Sequence, residues 1–217
     1  MFRWTSKFIN MKDFKVYINE KLKITKDLLK QNKHNYHPKT REELKELVKK
    51  LIEERGNDAD LNDIDTSKIT NMSDLFVFSK FNGDISLWNV SNVTDMTRMF
   101  FDSENFNCDL SGWNVSKVLY MEEMFTNCKN FEGKGLKNWK TKNLINTKRM
   151  FKECIKFNED ISGWDMSGVS SVTEMFYDCE NFDKDISGWN LDSVKEFQGI
   201  FFKCLKLKPN YKPKFNK

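Results

Sequence analysis

Apolar residues in this chain fall into two alternating phrases, and the pair of phrases repeats. In the first, Ile85, Trp88 and Val90 occupy positions one, four and six. Leu110, Trp113 and Val115 do the same, as do Ile161, Trp164 and Met166, then Ile186, Trp189 and Leu191. Over the last three positions the alternation puts the tryptophan and the aliphatic residue on one side and Asn or Asp on the other, which predicts a short strand. The second phrase reads V-x-x-M-x-x-M-F, as in Val93, Met96, Met99 and Phe100. Those spacings trace one face of a helix or of successive 3-10 turns. A Phe-Asn-x-Asp turn then leads into the next first phrase.

Trp88, Trp113, Trp139, Trp164 and Trp189 lie 25, 26, 25 and 25 residues apart, and Ile64 holds the same slot in a copy further upstream. Six copies therefore run from about Leu61 to about Leu207. A fixed period of this length predicts an α/β repeat solenoid, with short parallel strands on one face and helical or 3-10 turns on the other. The tryptophans hold the inward slot of an LxxLxL-type strand and belong to the core rather than to a surface stacking platform. One slot, three residues after the phenylalanine, holds Cys128, Cys154, Cys179 and Cys204, with Ser79 and Ser103 in the first two copies.

The phrase [IL]SxW[ND]VSxVxxMxxMFxxCxxF resembles the BspA-type leucine-rich repeats of bacterial surface proteins and mycoplasma lipoproteins, found also in some phage-borne or mobile-element proteins. The resemblance covers residues 59–207. It implies a right-handed, leucine-rich-repeat-like solenoid whose role is binding other proteins or host surfaces, without catalysis.

A stack of repeats exposes apolar cross-sections at its ends, and something must cover them. Residues 38–58 carry the signature of a capping helix: Thr40 as N-cap, Glu43 completing a capping box, and Gly56 as terminator. Leu44, Leu47, Val48, Leu51 and Ile52 form its apolar stripe. Residues 1–37 form an N-terminal segment in which FKVYINEKLKI suggests a β-hairpin. Residues 208–217 are a basic tail.

The net charge of +4 conceals a division: both ends are basic and the repeats between them acidic. The acidic array disfavours nucleic acid, which the basic ends could bind weakly. Lysine far outnumbers arginine, a bias expected from an AT-rich genome. Five cysteines with no CxxC pair argue for reduced thiols rather than a disulfide framework. The cysteine slot recurs once per repeat and so forms a column, not the tetrahedral cluster that zinc requires. Cys108 falls in a variable turn and is expected to be the accessible thiol. His34 and His37 form an HxxH pair before Pro38 with no cysteine nearby, so no metal is expected there, and the repeats contain no histidine for a Ser/His/Asp triad. No cofactor is implied. No apolar run approaches the ~20 residues of a membrane helix, and MFRWTSKFIN is no secretory signal. A cytoplasmic location is expected, with a surface or virion location as the alternative.

These features point to a non-enzymatic protein-binding module acting through its strand face. The outward slots are Ser86, Leu87, Asn89, Ser111, Asn114, Ser162, Asp165, Ser187 and Asn190. The fourth copy departs from the pattern: FEGKGL is one residue longer than its counterparts, and Lys137, Lys140 and Lys142 fill the outward slots, with Lys134 in the turn before. This cationic spot is the candidate anchor for an acidic group on a partner protein. The alternatives are a structural protein that self-associates or joins a larger particle such as a virion, and a phage or mobile-element inhibitor of a host system.

Overall fold

The computed structural model describes residues 34–215; the expected hairpin and the last two residues of the basic tail lie outside them. The six repeats stack, but each is built from turns. In the second repeat the amide of Trp88 donates to Ile85 O at 3.1 Å, Val93 to Val90 O at 3.0 Å, Met99 to Met96 O at 3.2 Å and Phe106 to Ser103 O at 3.0 Å. The other repeats carry the same series, for example Trp164 to Ile161 and Val169 to Met166, both at 3.0 Å.

This corrects the α/β expectation. Among the described residues there is no strand, and parallel pairing is confined to isolated bridges, chiefly the column Asn71, Asp95, Tyr120, Asn146, Ser171 and Glu196. The physical reason lies in the Asn and Asp residues. Asp84 accepts the Ser86 amide at 2.8 Å and Asn89 accepts the Ser91 amide at 3.1 Å. These Asx turns take donors that a strand ladder would need and bend the chain at both ends of the phrase in every repeat but the fourth. The second phrase fails as a helix for another reason. Arg98 and Asp102 adopt φ of 55° and 57°, and the equivalent residues of the other repeats are also left-handed. A right-handed helix cannot run through such positions.

The left-handed residues turn alternate peptide planes along the stack. Met96, Arg98, Phe100 and Asp102 donate their amides to Tyr120, Glu122, Met124 and Thr126 of the next repeat at 2.8–2.9 Å. Glu123, Phe125 and Asn127 pass the pattern on to Lys148, Met150 and Lys152. Every such N–H points toward the C-terminal end and every such carbonyl toward the N-terminal end.

Inside, two columns of phenylalanine interleave. Phe100, Phe125, Phe151 and Phe176 stack at 5.5–5.8 Å between centroids, and Phe106, Phe131, Phe157 and Phe182 at 5.6–6.3 Å. The tryptophans form a third column, and each indole N–H reaches back one repeat. Trp88 donates to Leu61 O at 2.9 Å, Trp113 to Ile85 O at 3.1 Å and Trp164 to Leu136 O at 2.8 Å. The extra residue of the fourth repeat is absorbed by Gly133 and Gly135, at φ of 91° and 94°, and a 3-10 turn over Leu136–Asn138. A Cβ on Gly135 would lie 2.3 Å from the Ser111 nitrogen, so only glycine fits.

One helix, α1 (Arg41–Arg55), closes the N-terminal end. Thr40 Oγ1 accepts the Glu43 amide at 3.1 Å, and Gly56 ends the helix by donating to Ile52 O at 2.8 Å. Leu44, Val48 and Leu51 are buried.

Trp164→Ala is expected to destabilise the protein by roughly 3–5 kcal/mol in a denaturant melt, the usual effect of truncating a buried aromatic. Trp164→Phe removes the indole donor to Leu136 O, but that carbonyl keeps the Trp139 amide at 3.0 Å, so the loss is that of one hydrogen bond, about 0.5–1.5 kcal/mol. An unchanged melt for both, with free quenching of Trp164 by iodide, would place the indole outside the core.

Candidate functional site

The residues singled out from sequence lie on one row of turn tips rather than on strands. Leu87, Asn89, Ser111, Asn114, Ser162, Asp165, Ser187 and Asn190 are exposed, and Ser86 is half-buried. Several of these side chains already serve the fold. Asn114 accepts the Ser116 amide at 3.1 Å, Asp165 the Ser167 amide at 3.0 Å, and Asn190 the Asp192 amide at 2.9 Å. Their polar atoms are partly engaged before any partner arrives.

The lysines of the fourth repeat differ among themselves. Lys134 pairs with Asp109 at 2.8 Å. Lys137, Lys140 and Lys142 are exposed, and none makes an ion pair among the described residues. Asp160 and Asp165, whose carboxyls lie below the usual range, are held down first by hydrogen bonds from Ser162 and Ser167; Lys137 and Lys142 act on them only through space. Within a row of Ser, Asn and Asp, these three amines form a cationic spot without direct counter-ions.

A second arrangement was not anticipated from sequence. The first left-handed slot of successive repeats holds Asp74, Arg98, Glu123, Arg149, Glu174 and Gly199. The signs alternate, and the side chains meet along the stack. Arg98 lies 3.6 Å from Asp74 and 3.8 Å from Glu123; Arg149 lies 3.2 Å from Glu123 and 2.9 Å from Glu174. Arg41 of α1 extends the ladder by pairing with Asp74 at 3.3 Å. Three of the chain's five arginines stand here, and that concentration in a lysine-rich sequence was the available signal.

The four repeat cysteines form a buried column, each thiol donating to the carbonyl of the preceding repeat. Cys128 reaches Phe100 O at 3.0 Å; Cys154, Cys179 and Cys204 reach Phe125, Phe151 and Phe176 at 2.8 Å. Burial raises all four thiol pKa values, that of Cys204 to about 12. Cys108, expected in an exposed turn, is half-buried because it packs against the core, and burial raises its thiol too. Among the described residues no group of three or more His, Cys, Asp or Glu is placed to hold a metal ion. His37 Nδ1 instead lies 3.3 Å from Asp65. No helix of the described residues is long and apolar enough to cross a membrane.

Stacked copies of one turn-built unit, with hydrogen bonds from repeat to repeat and repeated side-chain columns, define a tandem-repeat protein. The chain belongs to the family described as "Mycoplasma protein of unknown function, DUF285", whose model matches it twice, over residues 42–135 and 117–214. No curated protein and no solved structure matches it.

Two outcomes follow. Native thiol titration is expected to modify Cys108 before Cys128, Cys154, Cys179 and Cys204, because a neutral, buried thiol reacts slowly; equal rates for all five would contradict the packing. Asp65 and Asp109 are held near about 2, the first chiefly by hydrogen bonds from Ser67, the second chiefly by Lys134. A depressed folded-state pKa adds stability above the unfolded value, and that stability is lost as pH falls through the folded value. The melting temperature should therefore drop between about pH 4 and pH 2. Asp65→Asn, which keeps an Asx acceptor but cannot titrate, should flatten the drop; an unaltered profile would show that Asp65 carries none of it.

Proposed function

We propose that this protein is a non-enzymatic binding module that holds another protein on its row of turn tips. The observation that carries the reading is the cationic spot of Lys137, Lys140 and Lys142. The backbone around it is fixed by inter-repeat hydrogen bonds, so the three amines are presented on a rigid frame. Their neighbours in the same columns are short polar residues, which leaves the amines proud of the row. An acidic group on the partner would be steered to the spot and fixed by charge-assisted hydrogen bonds. The resemblance of the repeat phrase to BspA-type repeats agrees with protein binding. Residence in the cytoplasm fits the reduced cysteines.

The test begins with a pull-down from the source organism or its host, followed by affinity measurement with the recovered protein. Replacing Lys137, Lys140 and Lys142 with Ser, Asn and Ser restores the consensus of the row. The melting temperature should hardly change, since none of the three is ion-paired among the described residues. Partner affinity should fall about tenfold or more, equivalent to ~1.4 kcal/mol. Undiminished binding by the triple variant would remove the spot from the interface.

A further inference from the structure

We propose that the exposed edge of the last repeat is a docking edge for an acidic, extended segment of a partner protein, held by the amides of Gly199, Phe201 and Lys203. This inference is independent of the turn-tip reading.

The argument starts from peptide geometry. The carbonyls of Gln198, Ile200 and Phe202 accept the amides of Glu174, Phe176 and Asp178 from the repeat before, at 2.9, 3.0 and 2.8 Å. In a planar trans peptide the N–H points opposite to the C=O, and no peptide bond among the described residues is cis. The amides of Gly199, Phe201 and Lys203 therefore point away from the stack. The last repeat keeps the local form of the others, with Gly199 and Lys203 left-handed at φ of 66° and 57°. None of the three amides donates to an oxygen among the described residues.

The two ends of the stack are treated differently. At the first repeat the exposed groups are carbonyls, and Arg41 of α1 meets that of Ser73 with its Nε at 2.7 Å. At the last repeat the tail covers another part of the cross-section. Tyr211 O accepts the Ile186 amide at 3.0 Å, and Phe215 stacks on Phe197 at 4.7 Å. Among the described residues that leaves the Gly199–Lys203 amides without an acceptor, with Lys212 of the tail 5.5 Å over the Phe201 ring and Phe202 52% and Leu205 75% exposed beside them.

The chemistry of the occupant follows from this edge. Donors on alternate residues match the alternate carbonyls along one side of an extended segment, the mode by which a peptide adds to a sheet edge. A row of aligned N–H groups favours negative charge, and Lys203, Lys206 and Lys208 stand exposed around it, the first 3.6 Å from Asp178 and the other two bonded, among the described residues, only to the neutral Asn181 and Tyr211 side chains. Phe202 and Leu205 would receive apolar residues alternating with the acidic ones. A second copy of this chain is a poorer fit. Its carbonyl edge at Leu75 and Val77 borders a groove of α1 in which Lys45 and Lys49 are balanced by Glu46 and Glu53, so it offers no net negative charge to the lysines of the last repeat.

The experiment uses the full chain and an acetylated peptide of alternating Glu and Val, with a Lys-Val peptide as control. Amide NMR and hydrogen exchange are followed residue by residue. With the Glu-Val peptide the amides of Gly199, Phe201 and Lys203 should shift, and their exchange should slow about tenfold or more. The effect should weaken with salt and be absent with the Lys-Val peptide. Leu205→Ser should melt as the parent does and bind more weakly, whereas Phe202→Ser also loses the stacking on Tyr177 at 4.9 Å and is read only by the loss of peptide binding in the folded variant, about tenfold for the pair. The proposal is overturned if the three amides are already protected in the free protein, or if the peptide perturbs only the Lys137–Lys142 region or nothing. Equal binding of the two peptides would also overturn it, and so would protection that arises from self-association seen in sedimentation without peptide.

Discussion

Everything in this structure depends on the hydrogen bond that one repeat's amide makes to the next repeat's carbonyl. Left-handed residues such as Arg98 and Asp102 exist to aim it, and without them Met96, Phe100 and their equivalents would direct their amides within their own repeat. Left-handed backbone is costly for residues with a Cβ, roughly 1–2 kcal/mol apiece. That cost is tolerable because the bonds of one repeat are locked by those of both neighbours. A single repeat would have no such support, which is why the unit is stable only as an array.

Side chains repeat the same logic. Tryptophan rather than phenylalanine fills its slot because an indole N–H can satisfy the carbonyl one repeat back. Cysteine rather than alanine fills its own because a thiol can do likewise, and Ser103 in the same slot donates to Phe76 O. The core is thus apolar in bulk but gives these turn carbonyls, each already bonded to an amide of its own repeat, a second donor from the next repeat. Asparagine does the reverse on the outside: the Asn82 and Asn107 side chains each accept an amide from the following repeat, at 2.8 and 3.0 Å.

The 25-residue period, the buried tryptophan, phenylalanine and methionine columns and the cysteine column were all legible in the sequence, because burial and periodicity are written directly into residue type. Secondary structure was not. Positions one, four and six of ISLWNV suit a strand, and V-x-x-M-x-x-M-F suits a helix, but two features outweighed these patterns. One was the Asx residue heading these turns in all repeats but the fourth, visible as Asp84 and Asn89 but assigned to loops and outward slots. The other was left-handed backbone at charged residues, which carry no glycine to announce it. The exposure of Lys137, Lys140 and Lys142 followed from their slots. That they have no counter-ion among the described residues while Lys134 has one depends on side-chain reach, which spacing does not show. The charge ladder was in principle readable, as a change of sign at one slot in successive copies.

That ladder gives the array a parity. Asp74, Arg98, Glu123, Arg149 and Glu174 alternate in sign, so the electrostatic unit is two repeats although the structural unit is one. Removing the repeat that contains Arg98 would bring Asp74 beside Glu123 and set like charges against each other in a half-buried column. Removing two neighbouring repeats would leave every contact between opposite signs. An array of this kind can lengthen or shorten by even steps without disturbing its ladder, while odd steps require a compensating charge change at the new junction.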